Sequence, residues 1–130
     1  MRTFHYGKLI RDKILENMLK QGEEPQYRVL TESEFLAACR AKLLEEAGEL
    51  DVTDRERLLD ELADLAEVLD CLAAAIGKSA EDVRQKQAEK NRRHGSFARR
   101  IYVEQVAIPE GNSWIAYLEA HPDRYPEISG

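Results

Sequence analysis

Two short runs of acids, set into segments that otherwise carry a buried apolar face, constrain this chain more than any other feature. Lys42-Leu-Leu-Glu-Glu-Ala-Gly-Glu49 and Asp60-Glu-Leu-Ala-Asp64 lie among good helix formers with no proline between them. Residues three and four apart share a helix face, so Glu45, Glu46 and Glu49 form one carboxylate patch and Glu61 with Asp64 forms another. At about 100° per residue, Leu36, Cys39, Leu43, Ala47 and Leu50 make one apolar stripe, and Leu58, Leu62, Leu65, Leu69 and Leu72 make a second. Glu46 falls on the edge of the first stripe, between Phe35 and Cys39. Glu61 falls on the edge of the second, between Val68 and Leu72. A carboxylate on a buried edge is costly unless a cation or a donor satisfies it. Two of them on adjacent helices suggest a shared cation, and oxygen ligands alone suit a hard ion, Mg²⁺ or Mn²⁺. The competing reading is a solvated face of Glu-rich helices, which the inward positions of Glu46 and Glu61 disfavour.

The 130 residues are enough for one domain with a core, and 43% apolar content predicts that it folds. A net charge of −6 argues against bulk nucleic-acid binding. That charge is uneven: residues 31–70 hold 13 acids and four bases, whereas residues 84–100 hold seven bases and the single acid Glu89. An acidic region for a metal and a basic one for phosphate suits a phosphorylated substrate. Cys39 and Cys71 sit in Ala/Leu-rich helical segments and read as small hydrophobes, not as a disulfide. No signal peptide and no membrane-spanning apolar run is present, so a cytoplasmic protein without membrane contact is expected.

Along the chain, Lys8-Leu-Ile-Arg-Asp-Lys-Ile14 opens a first helix that Gly22 ends. Thr31-Glu-Ser-Glu34 is a capping box and starts a helix over about 32–50. A turn over 51–54 leads to a helix over about 54–76, ended by Gly77. Ser79 caps a helix over about 80–94. Ser96–Val103 reads as extended, Ser113 caps a short helix through Ala120, and the tail Asp123–Gly130 reads as irregular. No repeat and no linker interrupts residues 1–130. The expectation is a single all-α domain, a compact antiparallel helical bundle with short extended segments.

His5, His94 and His121 lie off the acidic helices, which removes the Glu-x-x-His pairs of a di-iron bundle. Neither a Ser/His/Asp or Cys/His arrangement nor a glycine-rich phosphate loop is present. What remains is metal-assisted attack of water on a phosphate anhydride. A spare carboxylate would take the proton and Lys or Arg would stabilise the leaving charge.

The chain resembles the MazG-like all-α nucleoside triphosphate pyrophosphohydrolases, the group that also holds phosphoribosyl-ATP pyrophosphohydrolase. The resemblance rests on Lys8-Leu-Ile-Arg-Asp-Lys-Ile14, Glu45-Glu46-x-x-Glu49, Glu61-x-x-Asp64 and Lys90-Asn-Arg-Arg-His-Gly-Ser-Phe97 with Arg99-Arg-Ile-Tyr102. It implies Mg²⁺-dependent cleavage of an NTP-like substrate to a monophosphate and pyrophosphate. It implies metal ligands at Glu46, Glu49, Glu61 and Asp64, with Glu45 as a further ligand or water-positioning base. Lys90 and Arg93 are implied phosphate contacts, with Lys8, Arg11 and Lys13 as further ones, in a homodimer or homotetramer. Two positions depart from the family pattern: Leu15 stands where proline is usual, and His94-Gly95-Ser96-Phe97 where Arg-Gly-Gly-Phe is usual. Two alternatives stay open, phosphoribosyl-ATP hydrolysis in histidine synthesis and a non-enzymatic helical dimer that binds a nucleotide or a partner.

Overall fold

Three helix starts among the described residues are set by side-chain caps. Thr31 Oγ1 accepts from the Glu34 amide at 3.3 Å, while Glu34 Oε1 accepts from the Thr31 amide at 3.1 Å. This reciprocal pair opens helix Glu32–Gly48. Asp54 accepts from the Arg57 amide and opens Arg55–Ala75. Ser79 and Asp82 exchange bonds of 2.8 and 3.1 Å at the start of Ala80–His94. Ser113 makes no such cap, however. Asn112 Oδ1 instead accepts from the Trp114 amide at 2.9 Å, ahead of Trp114–Glu119.

The computed structural model describes residues 1–128, and among them it has five helices and no strand. In chain order these are α1 (Asp12–Lys20), α2 (Glu32–Gly48), α3 (Arg55–Ala75), α4 (Ala80–His94) and α5 (Trp114–Glu119). Met1–His94 forms one unit, in which α3 packs on both α2 and α4; the chain from Gly95 forms another. The irregular tail is seen as far as Ile128, and Ser129 and Gly130 lie outside the described residues. No helix among the described residues is long and apolar enough to cross a membrane.

Three expectations change. The first helix begins at Asp12 and not at Lys8: Arg11 is an extended N-cap at φ −67°, ψ 144°, so Lys8–Arg11 approach the other helices as a strap. Phe97–Arg100 is a turn, closed by the Arg100 amide donating to the Phe97 carbonyl at 3.0 Å, with Arg100 itself at φ 61°. The inner face of α3 is rotated from its leucine stripe toward Glu61. Leu58, Leu65 and Leu72 are half-buried, but Leu62 and Leu69 stay 48% and 49% exposed. Leu58, Leu62, Leu65, Leu69, Leu72 and Ile76 recur in the a/d spacing of a coiled-coil seam. Within Met1–His94 the helices therefore cover only one side of that seam.

Burial within the chain is small. Among the described residues Cys39 and Ala73 are the buried apolar side chains, and Glu46 and Glu61 join them at 8% and 7% exposure.

Candidate active site

Glu46 is turned inward on α2 because Leu43 and Cys39, one and two turns back, hold that face against α3. Glu61 is turned inward on α3 in the same way, in line with Leu58, Leu65 and Val68. Neither carboxylate is left without a partner. Lys42 Nζ stands 3.3 Å from Glu46 Oε1 and 3.5 Å from Glu45 Oε2. Arg57 Nε donates to Glu61 Oε1 at 3.1 Å, and the Asp51 amide donates to Glu61 Oε2 at 2.9 Å. Glu61 thus latches the turn between α2 and α3 to the helix that follows.

The strap brings two more bases to the acids. Gly7, at φ +58°, turns the chain into Lys8 through a conformation in which a side chain is strained. Lys8 Nζ then reaches Glu45 Oε1 at 3.1 Å, and Arg11 donates to Asp64 Oδ1 at 2.9 Å. Both bonds span long stretches of sequence and fasten the strap to α2 and α3. The hydrogen bond from Lys8 holds the Glu45 carboxyl below the usual carboxylate range, with Lys42 adding to the effect, and Glu45 in turn raises the Lys8 ammonium. A cavity of about 130 Å³ opens beside Lys8, Ala38, Ala41, Lys42 and Glu45. A larger open groove of about 650 Å³, mostly apolar, is lined by Leu9, Val29, Leu30, Phe35, Ala74 and Ala75, with Arg28 among its polar residues.

Of the expected metal ligands, Glu46 and Glu61 are buried, Asp64 is half-buried and Glu49 is exposed. Their oxygen chemistry suits a hard cation, but among the described residues no three His, Cys, Asp or Glu side chains are grouped so as to hold one ion. The physical reason is visible in the pairing: Lys8, Arg11, Lys42 and Arg57 neutralise Glu45, Asp64, Glu46 and Glu61 one by one. Of the expected phosphate contacts, Lys8 and Arg11 meet the acids, while Lys13 is exposed on α1. Lys90 is exposed on α4, and Arg93 there stands 3.8 Å from Glu89. Sequence reasoning gave no role to Lys42 or Arg57. The signal was present, since Lys42 precedes Glu46 by four residues and Arg57 precedes Glu61 by four, the spacing that places opposite charges side by side on a helix. Burial pushes both thiols up, and Cys39 and Cys71 are free.

Comparison with protein-family models, with curated proteins and with solved structures found no match for this chain.

Proposed function

We propose that this chain is an Mg²⁺-dependent nucleoside triphosphate pyrophosphohydrolase of the MazG-like kind. It would cleave an NTP-like substrate to the monophosphate and pyrophosphate, with non-standard nucleotides as the substrate class to test first. The observation that carries this reading is the pair of buried carboxylates, Glu46 and Glu61, on two packed helices, with Lys8 and Arg11 held against neighbouring acids. A carboxylate held on a buried face is costly unless it is paired, so two of them beside bases on packed helices make a candidate site for chemistry.

On this reading Glu46, Glu49, Glu61 and Asp64 would hold Mg²⁺, or Mn²⁺ in its place, once their basic partners let go. The ion would supply neutralisation of phosphate oxygens and a water of lowered pKa. Glu45 would position that water and accept its proton. Lys8 and Arg11 would transfer from carboxylate to substrate phosphate, an exchange of one charge-assisted bond for another. Lys13, Lys90 and Arg93 would add phosphate contacts. The working assembly would be an antiparallel helical bundle built as a homodimer or homotetramer, which the half-covered α3 seam supports.

A second reading is favoured by the neutralisation of Glu45, Glu46, Glu61 and Asp64 within the chain: a helical dimer that binds a nucleotide or a protein partner without reaction. Phosphoribosyl-ATP is a further substrate of the same chemistry. A nucleotide panel with Mg²⁺, read by pyrophosphate release, separates these. Release from one or more NTPs supports the enzyme, release from phosphoribosyl-ATP alone selects that substrate, and nucleotide binding without release selects the non-enzymatic dimer.

A further inference from the structure

We infer that Lys8 and Arg11 are a clamp for a chain of phosphates, held shut by Glu45 and Asp64 standing in for the anion, a control on substrate entry that rests on the proposed pyrophosphohydrolase activity. Lys8 Nζ donates to Glu45 Oε1 at 3.1 Å, and Arg11 donates to Asp64 Oδ1 at 2.9 Å. One carboxylate lies on α2 and the other on α3, so the strap is tied to both helices. Lys8 and Arg11 stand three residues apart, in non-helical chain ahead of α1. In extended chain that odd spacing turns side chains to opposite sides, as bonding to two different helices requires. Leu9 and Ile10 between them are half-buried and seat the strap. Gly7, at φ +58°, makes the turn that leads in, and a Cβ there would fall 2.5 Å from His5 Nε2.

A phosphate chain is the anion best fitted to displace these carboxylates. Each carboxylate brings a single charge to its base. A triphosphate carries several, with acceptor oxygens along its length, and a guanidinium can take two of those oxygens at once. It can reach both bases, whereas an isolated phosphate satisfies one. The cavity of about 130 Å³ lined by Gly7, Lys8, Lys42 and Glu45 gives the incoming group room beside the bond it replaces. The same exchange unmasks Glu45 and Asp64 only when the phosphates are in place. Acids and bases of the site are thereby released together by the substrate.

Direct competition has a signature that simple attraction lacks. Removing a carboxylate that bonds a clamp base should strengthen anion binding, and removing a nearby carboxylate that does not bond should leave it alone. Glu49 is that control: its charge helps to raise the Lys8 ammonium, but it makes no bond to it.

Calorimetric titration of the full chain with inorganic tripolyphosphate, in buffer freed of divalent cations, tests this. Lys8→Met and Arg11→Met should each weaken binding roughly tenfold, the scale of one bond to a charged group. Glu45→Gln and Asp64→Asn should each tighten it roughly threefold to fivefold, the scale of an exposed ion pair. Glu49→Gln should change it less than about twofold at physiological ionic strength, where unbonded charges are screened. The Leu9 and Ile10 amide resonances should move along the same binding curve as the strap leaves. A gain of affinity cannot come from a variant that fails to fold, so the carboxylate variants guard the outcome. Unchanged affinity in Lys8→Met and Arg11→Met overturns the clamp, and so does a lack of binding in both the wild type and Glu45→Gln. Equal effects of Glu45→Gln and Glu49→Gln overturn the competition. The assay contains neither metal nor turnover, so these failures leave hydrolysis open. Conversely, a working clamp in a protein that releases no pyrophosphate from any nucleotide sinks the enzyme reading alone.

Discussion

In the α2–α3 pair two carboxylates are buried, and each has basic or amide donors within reach. In segment 101–108 the reverse holds: most apolar side chains are exposed, with Ile108 half-buried, and the backbone makes no hydrogen bond among the described residues. The buried side-chain charges are therefore satisfied inside one copy, while the exposed apolar side chains and backbone of 101–108 are not. An unsatisfied buried charge is destabilising at once and must be answered locally. Exposed apolar area can wait for a second copy, because its stabilisation scales with area and not with a single geometry. On the proposed reading the candidate site is built within one copy, and further copies of the chain would enter through stability.

The largest effect that would break this contrast lies in the carboxylates. Glu61→Gln and Glu46→Gln should each lower pyrophosphate release by more than about 100-fold, since a metal ligand contributes several kcal/mol in the transition state. Circular dichroism should show both variants folded. Glu61→Gln keeps a carbonyl that can accept from the Asp51 amide, but it loses the charged bond to Arg57. Full activity in both variants would mean the buried acids serve the helix turn only.

Next in size is assembly. Leu69→Glu places a charge on the uncovered side of the α3 seam, where the side chain is already 49% exposed within one copy. The fold of one copy should survive while the mass by light scattering falls by half or more. An unchanged mass would show that the seam is not a contact between copies.

Arg57→Ala sharpens the contrast from inside. It leaves buried Glu61 with the Asp51 amide alone, and should cost about 1–2 kcal/mol in urea unfolding. A cost near zero would mean solvent reaches Glu61 readily.

The smallest effect concerns pH. Arg28, then the Thr31 amide and hydroxyl, lower the Glu34 carboxyl from its ordinary 4.5 to about 2. Because the folded value is depressed, its stabilising contribution is complete above pH 4.5 and is lost as pH falls toward 2. Unfolding midpoints measured across that window should flatten in Glu34→Gln relative to wild type. Thr31→Ala should cost about 1 kcal/mol through the lost cap.

Much of the helical layout could be read from residues alone, because caps are local. Thr31 with Glu34, and Ser79 with Asp82, mark their helix starts within three residues. The inward placement of Glu46 and Glu61 was legible for a related reason, since the apolar spacing around them defines a face. The strap was not. Leu9, Ile10 and Ile14 carry a helical pattern, but attraction of Lys8 to Glu45 and of Arg11 to Asp64 comes from residues 37 and 53 positions away. Periodicity also assigned Leu62 and Leu69 to a buried stripe without distinguishing a face covered by this chain from one left for another.

The bond between the Asp51 amide and Glu61 makes the loop a reporter on the interior. An amide proton bound to a carboxylate resonates and exchanges differently from one bound to water, and Asp51 is remote from Glu61 in sequence by ten positions. One resonance in an amide spectrum therefore follows the state of one buried side chain. If a cation draws Glu61 away, the Asp51 signal moves toward that of a solvent-bonded amide, whether or not any substrate is turned over. Titrating Mg²⁺ while watching that single peak gives an occupancy curve for the carboxylate itself.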